Sequence, residues 1–239
     1  NLDRRGVGDI DTLTTREYLA LPVWRRAKYR VSRHPVVLFI LGPAYQFFLR
    51  QRLPADLRHA AAAEWRSVMG TNASAIVAAV AAAYAVGPWH FLLVQTVVNW
   101  TASSVGVWLF FVQHQFEQTY WAADEHWVFE DACLAGSSFL DVHPILHWCT
   151  GNIGYHHIHH LSPKVPNYRL RACLTVHPNL MAVHRLTLRE ALRSWRFALW
   201  DEERRLLVDF ASAHAEAAGD SPTNGRWQVP RKTTQAQST

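Results

Sequence analysis

The segment YHHIHH, residues 155–160, places four histidines within five positions. Positions i, i+3 and i+4 share one face of a helix. A helix over this segment therefore groups His156, His159 and His160 and turns His157 about 100° away from them. Neutral imidazole is a common protein ligand for iron, zinc and copper. The spacing predicts that these three residues bind a metal ion.

Three further histidines are candidates for the same site. His143 and His147 have an i, i+4 spacing that also suits a metal, but Pro144 lies inside the pair, and the sequence favours a structural role for both. His114 ends a long uncharged stretch, in the segment VQHQF. On the sequence alone, a single histidine in this position is more often an interfacial residue than a ligand.

The element that carries His114 is predicted to be a hydrophobic hairpin. Residues 67–116 are 50 consecutive residues without Asp, Glu, Lys or Arg. A helix that spans a bilayer needs about 20 apolar residues, so this stretch suffices for two spans with a turn at Gly87-Pro88. Three polar residues, Gln95, Asn99 and Ser103, recur every four positions on the second arm. We attribute Gln95 and Ser103 to helix packing.

The composition excludes several classes of protein. Of the 239 residues, 49% are hydrophobic and 18% are charged, which excludes a wholly disordered chain. The mean hydropathy of -0.09 averages the uncharged stretch with charged flanks. Three widely spaced cysteines fit neither a disulfide framework nor a cysteine zinc site, and they indicate a reducing compartment.

The distribution of basic residues predicts orientation in a membrane. The pI of 9.4 is typical of nucleic-acid binding in a soluble protein, but beside a membrane hairpin it indicates attraction to anionic lipids, and we predict no nucleic acid partner. Four arginines precede the first arm and place that side in the cytoplasm by the positive-inside rule: Arg50, Arg52, Arg58 and Arg66. We therefore expect an integral, multi-pass membrane protein with its active site on the cytoplasmic face.

The predicted fold is an all-α integral membrane protein, with one transmembrane helical hairpin and a cytoplasmic helical metal-binding region. We divide the chain into five segments. Residues 1–66 are a cytoplasmic or interfacial region with a membrane-associated part at 34–49, and residues 67–116 are the hairpin. Residues 117–186 are a cytoplasmic histidine region. An amphipathic helix, 187–218, and a disordered tail, 219–239, follow it. Capping boxes at Thr14 with Glu17, and at Thr187 with Glu190, predict two helix starts.

Three segments resemble the membrane fatty acid desaturases of the acyl-lipid branch. GNIGYHHIHHLSPKVPNYRL, residues 151–170, is similar to the third histidine box of that family. WLFFVQHQFEQTYW, residues 108–121, resembles the stretch after its last transmembrane helix. NLDRRGVGDIDTLTTREYLALP, residues 1–22, resembles the segment directly after the second box. The likeness covers most of residues 1–200.

The resemblance implies a non-haem di-iron centre held by eight or nine histidines from three boxes. By the same resemblance, His156, His159 and His160 match third-box ligands, and His114 matches the extra histidine after the last span. Asn99 matches a polar residue near the metals on that helix. The first two boxes lie upstream of Asn1 in the family and are absent here. The chain is therefore expected to be the C-terminal portion, the latter half of a four-helix enzyme.

The leading hypothesis is a desaturase that uses O2 and two electrons to introduce a cis double bond into a lipid-linked acyl chain. A hydroxylase or ketolase of the same superfamily is the alternative within this class. A non-catalytic membrane fragment is a second hypothesis, since two boxes are missing, and this fragment alone is expected to be inactive. A zinc hydrolase with a three-histidine site and Glu117 as its acid–base group is a third hypothesis, but this sequence lacks the HExxH motif that would support it. Expected partners are an acyl lipid, the membrane, and ferredoxin or a cytochrome b5-like electron donor.

Overall fold

The computed structural model describes residues 1–3, 5, 10–52 and 62–217, and its fold is mainly helical. The described α-helices are α1 to α11: Thr15–Ala20, Val23–Ser32, Gly42–Phe48, Ala62–Val86, Pro88–His114, Phe129–Ala135, Pro144–Cys149, His156–Leu161, Leu170–Val176, Leu188–Ala191 and Phe210–Ala217. The described strands are β1 to β5: Leu13–Thr14, Phe139–Asp141, Arg185–Thr187, Leu199–Asp201 and Leu206–Val208. One π-helical turn, Val37–Leu41, precedes α3.

The predicted hydrophobic hairpin is confirmed as α4 and α5. The two helices have 25 and 27 residues, and both are long and apolar enough to cross a membrane. Gly87 connects them with a φ of 90°, a left-handed conformation that glycine adopts without steric cost, and Pro88 occupies the first turn of α5. The first helix begins at Ala62, before the predicted start at 67. The side chains of both helices are largely exposed, as a lipid-facing surface requires.

The uncharged segment 34–49 packs beside α5. The π-helical turn Val37–Leu41 ends at Gly42, where a Cβ atom would lie 2.8 Å from the Val37 carbonyl oxygen. The Trp100 indole of α5 donates a hydrogen bond of 2.9 Å to the Ile40 carbonyl oxygen. A π-turn interrupts the regular series of backbone hydrogen bonds of an α-helix. The Trp100 indole therefore supplies a donor to a backbone carbonyl in an apolar segment.

The prediction of an all-α fold is wrong in detail, because five short strands form two sheets. β1 pairs in parallel with β4, which pairs in antiparallel with β5. The second sheet joins β2 and β3 in parallel. The first sheet packs against α1 and α11 through a buried cluster around Tyr18, Leu199 and Val208.

The single amphipathic helix predicted for 187–218 is also wrong. The Thr187 capping box is present, as is the one at Thr14, but α10 ends at Ala191. β4 and β5 then form a hairpin whose turn is fixed by Asp201, because its carboxylate accepts hydrogen bonds from the Glu203 and Arg204 amides. The disordered tail predicted for 219–239 lies outside the described residues.

The largest buried cluster lies at the C-terminal end of α5. Phe111, Val112 and Phe116 pack there against Leu140 of β2 and Leu186 of β3. This packing fixes the second sheet against the end of the hydrophobic hairpin. It therefore determines where the following histidine segment lies relative to His114.

Candidate metal centre

Three histidine side chains converge where α5 ends. The Nε2 atoms of His156 and His114 are 2.8 Å apart, those of His160 and His156 are 3.0 Å apart, and those of His160 and His114 are 3.3 Å apart. In the described part of the chain this is the group whose ligand atoms suit a metal ion. The structure thus brings together three of the four histidines that the sequence predicted as ligands.

The backbone of α6 fixes the orientation of the His114 ring. His114 Nδ1 lies 3.1 Å from the Gly136 carbonyl oxygen. A carbonyl only accepts, so Nδ1 carries the proton and Nε2 presents its lone pair to the other two histidines. A metal-ligating histidine commonly donates its other N–H in this way, which fixes the tautomer and ring orientation.

The helix α8 supplies the other two nitrogens. It begins at His156, directly after Tyr155, and the i, i+4 spacing brings the His156 and His160 rings to 4.5 Å between centroids. Burial, with repulsion from the neighbouring histidines in second place, lowers the pKa of His156. Burial also lowers the pKa of His160. Both rings are therefore neutral at physiological pH, the form that binds a metal.

Three mutual Nε2 contacts are difficult to satisfy by hydrogen bonds alone. An Nε2 atom that carries a proton has no lone pair left, so the three contacts cannot all be hydrogen bonds. Two nitrogens bound to one ion at about 2.1 Å lie roughly 3.0–3.4 Å apart when the bond angle is about 90–109°. The His160–His156 and His160–His114 separations lie within this range and the His156–His114 separation of 2.8 Å lies just below it, so the group needs only a small adjustment to place three ligands on one face of a single ion.

His159 lies beside this group without joining it. Its ring centroid is 5.8 Å from that of His156 and 6.0 Å from that of His160. His157, expected to point away, is fully buried and packs edge-on against Phe139 at 6.3 Å. Burial lowers the pKa of His157 to about 4, and the Leu180 and Ser138 backbone groups oppose that shift.

A stack of rings supports the segment before α8. The His147 ring lies 4.8 Å from that of Tyr155 with 18° between the planes, and Phe139 stacks on Tyr155 at 5.0 Å. Gly154 makes this packing possible, since a Cβ atom there would lie 2.6 Å from His147 Cε1 and 2.8 Å from the Leu140 carbonyl oxygen. His147 is thus a packing residue. Its partner His143 caps α7 by accepting from the Ile145 amide.

Two glutamines that flank His114 fix the end of α5, and the sequence analysis assigned them no role. Gln113 is fully buried and donates a 2.9 Å hydrogen bond to the Ile153 carbonyl oxygen, which ties α5 to the histidine segment. Gln115, equally buried, donates at 2.9 Å to Thr12 Oγ1. The sequence signal for such a role is the segment VQHQF, in which these two polar residues flank a histidine at the end of an apolar helix.

The contact between Gln115 and Thr12 belongs to a larger buried network. Arg33, 5% exposed, donates to Thr12 Oγ1 and to the Tyr29 hydroxyl. The Tyr29 hydroxyl donates in turn to the Ala198 carbonyl oxygen at 2.7 Å. This network joins the N-terminal segment, α2 and β4 to the end of α5.

The predicted role of Asn99 near the metal is not supported by its position. Asn99 lies on α5 fifteen residues before His114, which corresponds to about 22 Å at 1.5 Å per residue. It accepts a 2.8 Å hydrogen bond from Gln95, as expected for neighbours on one helical stripe. Glu117 is exposed, and no carboxylate joins the three histidines in the described part of the chain. The three cysteines are free.

Comparison with known proteins agrees with this arrangement. The sequence profile of the fatty acid desaturase family matches residues 4–191. A protein of Bacillus subtilis (strain 168) named "Fatty acid desaturase" is 44% identical over 210 residues, which are 88% of this chain and 59% of that relative. The family match over residues 4–191 includes the hydrophobic hairpin and all three converging histidines. The chain therefore belongs to the fatty acid desaturase family.

Proposed function

We propose that this chain forms part of a membrane enzyme that uses O2 and two electrons to introduce a cis double bond into a lipid-linked acyl chain. The observation that carries the proposal is the convergence of His114, His156 and His160 at the end of a membrane-length helix in a desaturase-family chain. The expected cofactor is a non-haem di-iron centre. Its other ligands would come from the portion of such an enzyme that this chain does not span.

The donor set fits an iron ion. His114, His156 and His160 would hold one ion through their Nε2 atoms, and His159 stays a predicted ligand beside it. Imidazole suits iron, although it also suits zinc and copper, so the family supports the choice of metal. Iron and O2 supply an oxidant strong enough to attack an unactivated methylene C–H bond.

The chain's own residues prepare the site for that reaction. The Gly136 carbonyl holds the proton on His114 Nδ1, so that Nε2 faces the centre. Burial keeps His156 and His160 neutral, so metal binding does not require a proton to be displaced from them near neutral pH. The buried cluster around Phe111 and Leu140 packs the end of α5, which carries His114, against strand β2.

The hairpin accounts for access of the substrate. α4 and α5 expose apolar side chains along their length, so an acyl chain can follow them from the bilayer without crossing water. The arginines before α4 and in its first turns, among them Arg66, support a cytoplasmic position for His114 and the residues after it. An enzyme that binds the chain in one register would present one particular methylene to the oxidant.

The reaction type is tested by expression of the complete gene product containing this chain in a host that lacks unsaturated acyl groups. Analysis of the fatty acid methyl esters should show new monounsaturated species. Hydroxylated or keto products without new double bonds would refute desaturation and favour the hydroxylase or ketolase alternative. Absence of any product from iron-loaded protein would favour the non-catalytic alternative.

A further inference from the structure

We propose that the exposed face of α7, together with the basic residues of the segment after α8, docks a small acidic protein that carries one electron at a time. We call this surface the α7 face and define it by Ile145, Leu146, Trp148, Lys164 and Arg169. The proposal rests on the proposed function, because only a redox reaction requires such a carrier. It identifies the partner's chemistry and the place where it binds.

The first observation is an exposed apolar patch on a short helix. α7 buries one side chain, His147, and leaves Trp148 80% exposed and Ile145 64% exposed. Leu146 is also exposed, and Tyr168 contributes a second exposed ring. Contiguous exposed apolar side chains beside a functional site mark surfaces that bind a partner, and aromatic residues are enriched there.

The second observation is the charge around this patch. Residues 142–189 contain five basic residues and no Asp or Glu. Lys164, Arg169 and Arg171 are exposed, and none pairs with a carboxylate within the described ranges 1–3, 5, 10–52 and 62–217. The loop after α7 contacts this basic segment, because the Asn152 side-chain amide donates to the Asn167 carbonyl oxygen. A positive surface with an apolar centre selects a partner with an acidic surface.

The third observation connects the α7 face to the metal centre. Trp148 follows His147 in the chain, and the His147 ring stacks on Tyr155 at 4.8 Å. Tyr155 directly precedes His156, whose Nε2 belongs to the converging group. Trp148 is therefore next in the chain to His147, whose ring packs on the residue that directly precedes a ligand. This proximity to the metal centre favours an electron carrier over lipid headgroups as the occupant.

The electron requirement fixes how the surface is used. Each turnover removes two hydrogens from the acyl chain, consumes one O2, two electrons and two protons, and releases two waters. A one-electron carrier must therefore bind in reduced form, transfer its electron and dissociate in oxidised form twice per turnover. Electrostatic attraction of moderate strength suits this cycle, since it speeds association without slowing release.

The test compares two reductants of the iron-loaded complete gene product in stopped-flow measurements. Reduced acidic [2Fe–2S] ferredoxin requires docking, whereas reduced methyl viologen is a small molecule that does not. The patch variants are Trp148→Glu and the double variant Lys164→Glu/Arg169→Glu. The matched control, Arg25→Glu/Lys28→Glu, makes the same charge change on the exposed surface of α2.

We expect the patch variants to reduce the ferredoxin-driven rate about tenfold at low salt, as expected for loss of electrostatic steering. Their reduction by methyl viologen and all rates of the control variant should stay unchanged. Ferredoxin affinity, measured by surface plasmon resonance, should fall in parallel. A ferredoxin-driven rate equal to that of the control, or an equal loss with both reductants, would overturn the docking site.

Two further outcomes separate the sources of failure. If the detergent-solubilised patch variants lose binding to anionic lipid vesicles while they bind ferredoxin as the control does, the α7 face binds lipid headgroups and the proposal is refuted. If neither reductant reduces the unsubstituted protein, no redox-active metal centre exists. That result would refute the proposed function itself, and the docking proposal with it.

Discussion

The close packing at Gly154 gives a prediction whose size follows from the coordinates. In Gly154→Ala the new Cβ atom would lie 2.6 and 2.9 Å from two atoms of the His147 ring and 2.8 Å from the Leu140 carbonyl oxygen. His147 is only 7% exposed, and Leu140 belongs to strand β2, so neither neighbour can move freely. Overpacking of this kind costs about 1–3 kcal/mol. At roughly 2–4 °C per kcal/mol, the midpoint of thermal unfolding should fall by about 2–12 °C.

The substitution should also reduce metal binding, because Gly154 is two residues before His156. The assay is thermal unfolding in detergent together with the iron content of the purified complete gene product. Gly106→Ala is the matched control, since a Cβ atom there has no neighbour within 4 Å. It should leave both quantities unchanged or raise the unfolding midpoint slightly.

A double variant separates the contributions to this clash. His147→Ala removes two of the three close atoms, so His147→Ala/Gly154→Ala should lose less stability than the sum of its single variants. A double-mutant cycle measures this coupling. Additive losses, or a Gly154→Ala protein that unfolds like the unsubstituted protein and retains its iron, would refute the packing described at this site.

Two other predictions concern residues outside the histidine group. Trp100→Phe removes the donor to the Ile40 carbonyl oxygen and should destabilise the protein by about 0.6–2 kcal/mol, measured by unfolding in mixed micelles. Trp89→Phe, at an exposed position on the same helix, should have no such effect. Burial lowers the pKa of His184 in the folded state. As the pH falls, His184 is therefore protonated in the unfolded state before it is protonated in the folded state. The stability of the fold then decreases as the pH drops through the unfolded pKa of about 6.5. His184→Phe should weaken the fall in unfolding midpoint between about pH 7.5 and about pH 5.5; an unchanged fall would contradict it.

The sequence predicted the elements that have strong local signals. An uncharged stretch of 50 residues with Gly87-Pro88 inside it defines a helical hairpin with little ambiguity. The i, i+4 spacing of His156 and His160 likewise defines a shared helical face. His114 lies more than forty residues away in the chain, and only its resemblance to a family position indicated that it joins them.

The errors arose where contacts distant in the chain decide the structure. Residues 187–218 carry helical spacing of apolar and charged residues, but pairing of β4 with β1 and a turn at Asp201 place a strand hairpin, residues 199–208, in the middle of this stretch. The Gly136 carbonyl is a backbone group, and its role beside His114 depends on the packing of α6 against α8. Asn99 matched a family pattern, but its distance along α5 separates it from the centre.

The central claim is that His114, His156 and His160 hold a catalytic metal ion, and iron content of the complete gene product tests it most directly. The exposed His177 provides the control. We predict about two iron ions per molecule of the unsubstituted complete gene product and unchanged iron in its His177→Ala variant. Loss of at least one ion is expected in each of His114→Ala, His156→Ala and His160→Ala, with membrane insertion retained. Full iron content in all three ligand variants would contradict the account.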